Sequence, residues 1–392
     1  MIDYEKLLTS RVKGLKPSGL RKFFDIAAEM DDVISLSIGE PDFKTPWNIR
    51  EAGVESLKAG KTWYTSNAGL MVLREEVCKY QETRFGGKYD PLKQCLITVG
   101  GSEGIDLAIR AIIEEGDEVL IPEPCYVAYE PMVELQGGVP VIIETRAENN
   151  FKLTKGEVLS HLSDKTKLLI LPYPNNPTGA IMAKEDLEAI GEALSGTNVL
   201  VLSDEIYAEL TYDGVHTSAA SIPSLYERTI LIGGFSKAFA MTGWRLGYIL
   251  GPEAILKQII KIHQYAIMSS PTTSQYAAIE ALRGGLDSVE KMRNEYNMRR
   301  RYLLDALRKI GLECYEAKGA FYLFPSIKST GLTSEEFCTK LLYSKKVAVV
   351  PGSAFGKSGE GFVRISYSYS LNHLKEAVGR IGEFLSELKE NS

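Results

Sequence analysis

Continuous apolar runs, separated by amphipathic stretches, recur through the middle of the chain. Runs such as LLIL at 168–171 and VLVL at 199–202 contain no polar residue, which is the pattern of strands buried on both faces of a parallel sheet. The stretches between such runs carry apolar residues at helical spacing, as in βαβ units. We therefore predict an α/β fold with a mostly parallel sheet. The predicted strands are 95–99, 118–121, 140–144, 167–171, 199–203 and 229–233, and the predicted helices are 49–59, 72–84, 105–113, 128–135 and 155–162.

The two ends of the chain have a different pattern of apolar and polar residues. Ser18 precedes a helical pattern with apolar residues at 20, 23, 24 and 27, and a short strand is predicted at 33–36. A helical region at 254–307 contains Pro271, which is expected to break it. The change of pattern near 285–290 predicts a second, smaller α/β domain. Its predicted elements are short strands at 312–315, 320–324, 348–350 and 362–366 and a closing helix at 371–388.

The composition is that of an ordinary soluble globular protein. The 392 residues are 44% hydrophobic and 24% charged, and 45 Lys and Arg against 51 Asp and Glu give a net charge of −6. These values exclude disordered, collagen-like and coiled-coil classes. An acidic chain without a Lys/Arg-rich block also lacks the electrostatic footprint of a nucleic-acid binder.

Targeting and metal-binding patterns are not found in the sequence. No uncharged apolar run reaches the ~18 residues that span a bilayer, and the beginning, MIDYEKLLTSRVKG, contains no apolar signal region. We therefore predict a cytoplasmic protein that binds no membrane. The five scattered cysteines are predicted to be buried thiols. The four histidines, at 161, 216, 263 and 373, have no ligand spacing, so we expect structural or surface roles for them and no metal site.

A glycine-rich turn stands between the strand predicted at 95–99 and the helix predicted at 105–113. Its residues are GGSEG at 100–104. Glycines at such a turn let backbone N–H groups approach an anion, and a helix N-terminus adds partial positive charge. The spacing fits neither a dinucleotide nor a triphosphate fingerprint. A phosphate-binding turn and a tight turn that merely needs glycine are equally compatible with the pattern.

Charged residues follow two of the predicted strands directly. Asp204 and Tyr207 come after the strand at 199–203, where they could face one bound ring, although Asp204 could instead cap a following helix. Lys237 comes after the strand at 229–233, among small residues and eight positions before Arg245. A lone lysine is normally a solvated charge, but a lysine whose pKa is lowered by its neighbours can form a Schiff base. Because ligands bind beyond the carboxyl ends of parallel strands, these positions are the expected site.

Together these segments resemble the class I pyridoxal-phosphate (PLP) aminotransferases of fold type I. The string SKAFAMTGWRLG at 236–247 resembles the cofactor-lysine signature of that family, and NNPTG at 175–179 and DEIY at 204–207 resemble its two ring-binding motifs. The match extends to SIGEPDF at 37–43, to the region 64–74 and to VRIS at 363–366. Within the family, the chain is most similar to the branch that includes prokaryotic aspartate and aromatic aminotransferases.

The resemblance implies a set of contacts to the cofactor ring. Lys237 would hold the cofactor through a Schiff base and then move a proton between the substrate and the cofactor. Asp204 would pair with the pyridine nitrogen, which requires an ionised carboxylate. Tyr207 and Asn176 would bind the 3-oxygen, and Tyr126 would stack on the ring.

The resemblance also implies contacts to the phosphate and to the substrate. Arg245 would bind the phosphate, together with the backbone of Gly101 and Ser102. Arg364 would pair with the α-carboxylate of the substrate, with help from Asn176 and from the backbone of Gly39. Tyr64 would reach the phosphate from a neighbouring subunit, so the active site would be shared within a homodimer.

Two positions depart from the family pattern. Many relatives have Ser or Thr three residues before the lysine as a phosphate ligand, whereas this chain has Gly234, so either Ser236 or backbone N–H groups would take that role. Some aspartate-specific relatives have a Lys after the two glycines of the phosphate turn, whereas this chain has Ser102. We therefore expect no strict dicarboxylate specificity, and the apolar segment 20–26 is a candidate cover for aromatic or aliphatic substrates.

The family resemblance implies a fold type I enzyme with a seven-stranded, mostly parallel sheet. Its expected parts are an arm at 1–15, a large PLP-binding domain at 46–285, and a small domain made of 16–45 and 286–392. The expected reaction moves the amino group of an L-amino acid, aspartate or an aromatic residue, to a 2-oxo acid such as 2-oxoglutarate. One alternative is a carbon–sulfur β-lyase of the same fold. Another is a non-catalytic ligand-sensing module, which would need a DNA-binding domain and a basic patch.

Overall fold

The computed structural model describes residues 2–15 and 30–390. The helix predicted after Ser18 and the proposed substrate cover at 20–26 lie outside the described residues. Seven strands form one sheet: β2 (Cys95–Thr98), β3 (Glu118–Glu123), β4 (Val139–Glu144), β5 (Thr166–Leu171), β6 (Leu200–Asp204), β7 (Thr229–Gly234) and β8 (Gly247–Leu250). Their order in the sheet is β2-β8-β7-β6-β5-β3-β4.

Strand β8 is the exception to the parallel arrangement. It pairs antiparallel with both of its neighbours, β2 and β7, while the other pairs in the sheet are parallel. The connection 235–246 between β7 and β8 contains no α-helix, and a parallel crossover needs a dozen or more residues, usually with a helix. The chain therefore turns back beside β7, and this connection carries Lys237 and Arg245. The sequence pattern did not predict β8.

The predicted helices are present, most with ends shifted by one or two residues. The largest shift is at α4, which begins at Gly101, four residues earlier than predicted, so Ser102 lies in its first turn. The region 254–307 is three helices, and Pro271 directly precedes the second of them. The described helices are α1 (Ser10–Gly14), α2 (Trp47–Lys58), α3 (Met71–Phe85), α4 (Gly101–Ile112), α5 (Tyr129–Gln136), α6 (Lys155–His161), α7 (Lys184–Ala193), α8 (Pro223–Tyr226), α9 (Glu253–Ala266), α10 (Thr272–Gly284), α11 (Leu286–Lys309), α12 (Ser334–Lys345) and α13 (Leu371–Glu390).

Smaller sheets join the two ends of the described chain. Strand β1 (Ile34–Ser35) pairs in parallel with β10 (Val347–Ala348), and β12 (Val363–Ser366) lies between β9 (Tyr322–Leu323) and β11 (Val350–Pro351). Residues of β1 share one apolar core with residues of α11, α12 and α13. The strand predicted at 312–315 is wrong, because Cys314 makes only an isolated bridge with Pro325. The domain boundaries at 45 and 285 remain a prediction.

The central strands are buried as their apolar runs predicted. Residues 168–171 are at most 1% exposed, since helices cover both faces of such a sheet. All five cysteines are buried and free, as predicted. None of the helices in the described ranges is long and apolar enough to cross a membrane. Within those ranges there is also no group of three or more side chains that could hold a metal ion.

Candidate active site

A cavity of about 1230 Å³ opens beyond the carboxyl ends of the central strands. Nearly all of the predicted site residues line it, although they come from segments far apart in the sequence. Tyr64 is the exception, since it is absent from the cavity wall and 75% exposed. The predicted residues that line the cavity are Gly39, Gly101, Ser102, Tyr126, Asn176, Asp204, Tyr207, Ser236, Lys237, Arg245 and Arg364.

Lys237 presents a buried amine to this cavity. It follows β7, and its Nζ donates a hydrogen bond to the carbonyl oxygen of Gly39 over 2.5 Å. Burial lowers the pKa of its ammonium from 10.5 to about 8, and the positive charges of Arg364 and Arg245 add to that effect, while Glu40 opposes it. A substantial fraction of the amine is therefore neutral, and able to act as a nucleophile or base, near pH 8.

Asp204 ends strand β6 and is buried at the cavity wall. Its Oδ2 accepts a hydrogen bond from the Tyr129 hydroxyl over 2.6 Å, and its Oδ1 accepts one from the N–H of Ile206 over 3.2 Å. No helix begins at this point, so the alternative role of Asp204 as a helix cap is excluded. Burial raises the pKa of Asp204, while the two hydrogen bonds act in the opposite direction. Such a carboxylate is well placed to pair with a buried cation.

Two buried tyrosines meet beside Lys237. The hydroxyl oxygens of Tyr207 and Tyr322 lie 2.8 Å apart, and Lys237 Nζ lies 5.7 Å from the centre of the Tyr207 ring. Burial raises the pKa of both phenols. Both groups therefore stay protonated near neutral pH, and since one hydroxyl donates to the other, one proton of the pair is left to donate into the cavity.

Arg364 lies in strand β12, and its guanidinium is fully enclosed. Its Nη1 donates to Oδ1 of Asn176 over 2.9 Å, and its Nη2 donates to the carbonyl oxygen of Ser37 over 2.5 Å. The ring of Tyr322 lies 4.4 Å from its central carbon, and Nε has no hydrogen-bond partner among the described residues. Burial lowers the pKa of this guanidinium. A buried cation with an unused donor is a strong attractant for an anion.

The glycine turn at the start of α4 is packed against Arg245. Gly100 has a φ of +81°, which favours glycine, and a Cβ there would lie 2.7 Å from Arg245 Nη2. Gly101 and Ser102 follow in the first helical turn, whose N–H groups have no partner within the helix. Arg245 itself has a φ of +51° and donates through Nη1 to the carbonyl of Thr242. The turn and the guanidinium together form a cup suited to an anion.

Close packing accounts for Gly234, the glycine that departs from the family pattern. A Cβ at Gly234 would lie 2.7 Å from the Cδ1 atom of Ile206 and 3.3 Å from the Cα atom of Gly247. A Ser or Thr at this position would require one of these neighbours to move. Ser236, by contrast, lines the cavity.

Comparison with known proteins shows the family to which the chain belongs. The family model "Aminotransferase class I and II" matches residues 31–381. The chain belongs to the class I and II aminotransferases. This confirms the prediction of an aminotransferase made from its motifs.

Individual relatives cover nearly the whole aminotransferase chain. A Bacillus subtilis protein, YugH, is 52% identical over 96% of this chain and 98% of its own. The aspartate aminotransferase of Pyrococcus abyssi is 46% identical over 97% of this chain and 99% of its own. The crystal structure of an aromatic aminotransferase from Pyrococcus horikoshii superposes with a TM-score of 0.90, at 43% identity over 94% of this chain and 99% of that one. The predicted α/β fold is thereby confirmed.

Several residues that line the aminotransferase cavity were not found from the sequence. Among them are Tyr129, Tyr322 and Glu40. Tyr129 is the first residue of α5, whereas Tyr126 precedes that helix, so no helical spacing linked the two residues. Tyr322 comes from a strand more than a hundred residues from its partner Tyr207, and nothing local marks that contact. Glu40 lay within a recognised motif but was given no role.

Proposed function

We propose that this chain is a PLP-dependent transaminase that moves the amino group of L-aspartate or an aromatic L-amino acid to a 2-oxo acid such as 2-oxoglutarate. The observation that carries the proposal is one cavity whose wall holds an amine of lowered pKa, a buried carboxylate and two arginines. Those groups are Lys237, Asp204, Arg245 and Arg364. The names of two relatives, one for aspartate and one for aromatic substrates, support the substrate class.

The cavity residues fit PLP in shape and charge. The cup of Gly101, Ser102 and Arg245 suits its phosphate, and Ser236 adds a hydroxyl at the same wall. Asp204 would hold the ring nitrogen, because a buried carboxylate is stabilised by a cationic partner. The ring would rest on Tyr126, and its 3-oxygen would accept from Asn176 and Tyr207. When bound, PLP supplies an electron sink for the electron pair left at the substrate Cα.

Lys237 would act first as the covalent holder of the cofactor and then as a base. Once the incoming amino acid frees its Nζ, a lysine with a pKa near 8 can take the proton from the substrate Cα and would return it at the cofactor carbon bonded to the substrate nitrogen. The carbonyl oxygen of Gly39, which accepts from Nζ over 2.5 Å, would keep the amine oriented between these positions.

Arg364 would bind the α-carboxylate of the amino acid. Its Nε has no partner among the described residues, and its Nη1 donates to Asn176 Oδ1, a neutral acceptor that a carboxylate can replace. A guanidinium presents its donors in a fixed fork that matches a carboxylate. Substrates without an α-carboxylate would leave this buried cation uncompensated and would bind poorly.

A second copy of the chain would complete the site. Two consecutive aromatic side chains are exposed here, Trp63 at 61% and Tyr64 at 75%. The hydroxyl of Thr272 fixes this surface by donating to the carbonyl of Trp63 over 2.7 Å. Exposed aromatic patches of this kind mark protein interfaces. We therefore propose a homodimer in which Tyr64 reaches the partner's phosphate cup.

We also propose a cytoplasmic location, because the five cysteines are buried and form no disulfide.

The experiment that tests this function separates transamination from elimination. The purified chain, loaded with PLP, receives an amino acid alone, and transamination should yield one equivalent of 2-oxo acid and leave the pyridoxamine form of the cofactor. Adding 2-oxoglutarate should restore the original absorbance. Release of pyruvate and ammonia from a β-substituted substrate, without pyridoxamine formation, would instead show the β-lyase. Lys237→Ala should abolish 2-oxo acid formation, and its failure to do so would refute the proposed role of Lys237.

A substrate panel then tests the proposed specificity. Ser102 offers no cation for a side-chain carboxylate, so we expect aspartate and aromatic donors to be used with kcat/KM values that differ by less than about a hundredfold. The panel contains aspartate, tyrosine, phenylalanine and alanine, each measured with the same 2-oxo acid. Turnover of aspartate alone would contradict the broad specificity.

A further inference from the structure

A glutamate lies inside the first turn of the helix that forms the phosphate cup. Glu103 follows Ser102 in α4, and its side chain is only 10% exposed. A carboxylate at this position is attracted to the free N–H groups and partial positive charge of the helix N-terminus. The same donors would bind the cofactor phosphate. An unrestrained Glu103 would therefore compete with the phosphate and repel it.

The structure directs this carboxylate away from the cup. Oε2 of Glu103 accepts a hydrogen bond from the N–H of Val99, the residue that follows β2. Oε1 lies 2.7 Å from Nδ1 of His263, in α9. An ionised carboxylate only accepts hydrogen bonds, so Nδ1 is the donor. Both oxygens are thus occupied by groups outside the cup.

The side chain of His263 has one hydrogen bond among the described residues, the one to Glu103. Its side chain is 0% exposed, and its Nε2 has no hydrogen-bond partner among the described residues. An unsatisfied buried nitrogen costs free energy that a leucine of similar size would avoid. The hydrogen bond from Nδ1 to Glu103 offsets the cost of the unsatisfied Nε2.

We propose that Glu103 and His263 form a positioning pair that keeps the phosphate cup free for the cofactor. The inference rests on the proposed function, since it assigns the cup to the PLP phosphate. His263 holds the carboxylate against the N–H of Val99, so the N–H groups of Gly101 and Ser102 stay available. Neither member of the pair touches the cofactor.

The test measures PLP affinity of the apoenzyme by titration. His263→Leu should weaken PLP binding by about tenfold, because Glu103 loses its second donor and turns to the cup. His263→Asn should restore the affinity to near that of wild type, since its amide nitrogen occupies the Nδ1 position. Adding Glu103→Gln to His263→Leu should also recover most of the affinity, because the neutral amide keeps an acceptor for Val99 and no longer repels phosphate. His161→Leu, on α6 and outside the cavity wall, is the control and should bind PLP as wild type does.

The double variant separates positioning from a merely structural role. If His263 only filled space, removing its partner would not repair His263→Leu, and a double variant as weak as the single one would overturn the proposal. Unchanged affinity of His263→Leu would overturn it as well. Should His263→Leu not fold, His263→Gln takes its place, because its amide reaches the Nε2 position and not Nδ1. If the wild-type chain binds no PLP, the proposed function fails, independently of this pair.

Discussion

Tyr129 donates a hydrogen bond to Asp204, with 2.6 Å between the phenol oxygen and Oδ2. The two residues lie on different elements, α5 and β6, and both are buried. The bond opposes the effect of burial on Asp204 and so favours its ionised form. Since pairing with a ring nitrogen needs an ionised carboxylate, Tyr129 should support catalysis without touching the substrate.

We predict that Tyr129→Phe lowers kcat/KM by about tenfold. The pKa of Asp204 should rise further in the variant, and a hydrogen bond to a charged group is worth roughly 1.5–3 kcal/mol. Steady-state kinetics and PLP titration provide the measurements. Tyr89→Phe is a matched control, because the hydroxyl of Tyr89 is buried without a partner among the described residues. Equal kinetics for both variants would show that Asp204 needs no support from Tyr129.

The lowered pKa of Lys237 predicts a pH dependence of cofactor binding. Only the neutral amine can form a covalent bond with PLP, and burial brings its pKa to about 8 from 10.5. The rate at which apoenzyme binds PLP covalently should therefore rise with pH to about 8 and then level off. Stopped-flow absorbance across this range measures it. A rate that keeps rising tenfold per pH unit toward 10.5 would show an amine of ordinary pKa.

The same pKa shift predicts how the stability of the apoenzyme changes with pH. The folded-state pKa is depressed, so between about pH 8 and 10.5 the unfolded chain binds more protons than the folded one. The free energy of unfolding contributed by Lys237 therefore increases as the pH rises through this window. Lys237→Met, which cannot be charged, should be more stable than wild type at pH 7, and the difference should shrink toward pH 10.5. Urea unfolding at several pH values tests this, and a difference independent of pH would contradict it.

The sequence predicted the sheet better than it predicted the contacts across the cavity. Continuous apolar runs marked the buried central strands, as at 168–171. Strand β8 was missed because GYIL at 247–250 is short and begins at the last residue of a segment read as a motif. The strand at 312–315 was predicted wrongly because apolar residues such as Leu312 serve the core there without a pairing partner along their length.

The contacts that sequence reasoning missed depend on distant elements. Tyr129 and Asp204 are 75 positions apart, and Tyr207 and Tyr322 are 115 positions apart. No local pattern encodes such a pair, since it arises only when the sheet brings its strand ends to one edge. The motif at 204–207 identified Asp204 and Tyr207, because it stands at the end of strand β6. Their partners, Tyr129 and Tyr322, lie within a helix and a strand whose residue patterns reflect only packing.

We predict that Arg364→Lys impairs substrate binding far more than cofactor binding. A lysine cannot reproduce the paired donors of a guanidinium, and losing one partner of a buried charge pair costs roughly 2–5 kcal/mol. The kcat/KM for the amino donor should fall by about a hundredfold, mainly through KM, while PLP affinity changes little. Arg245→Lys is the matched control and should show the reverse pattern, because Arg245 lies at the phosphate cup. Similar losses of PLP affinity in both variants would reject the division of roles between the two arginines.

The exposed position of Tyr64 predicts that two damaged chains can repair each other. Lys237→Ala should be inactive, and Tyr64→Ala should be weakly active at limiting PLP, because the phosphate would lose a hydrogen-bond donor. If Tyr64 acts on the partner's cup, a mixed dimer contains one site with Lys237 from one chain and Tyr64 from the other, and that site is intact. Unfolding and refolding the two variants together should therefore give more activity than the sum of the separate samples, and size-exclusion chromatography should show a dimer. If the dimer forms and the activities are only additive, Tyr64 acts on the phosphate cup of its own chain.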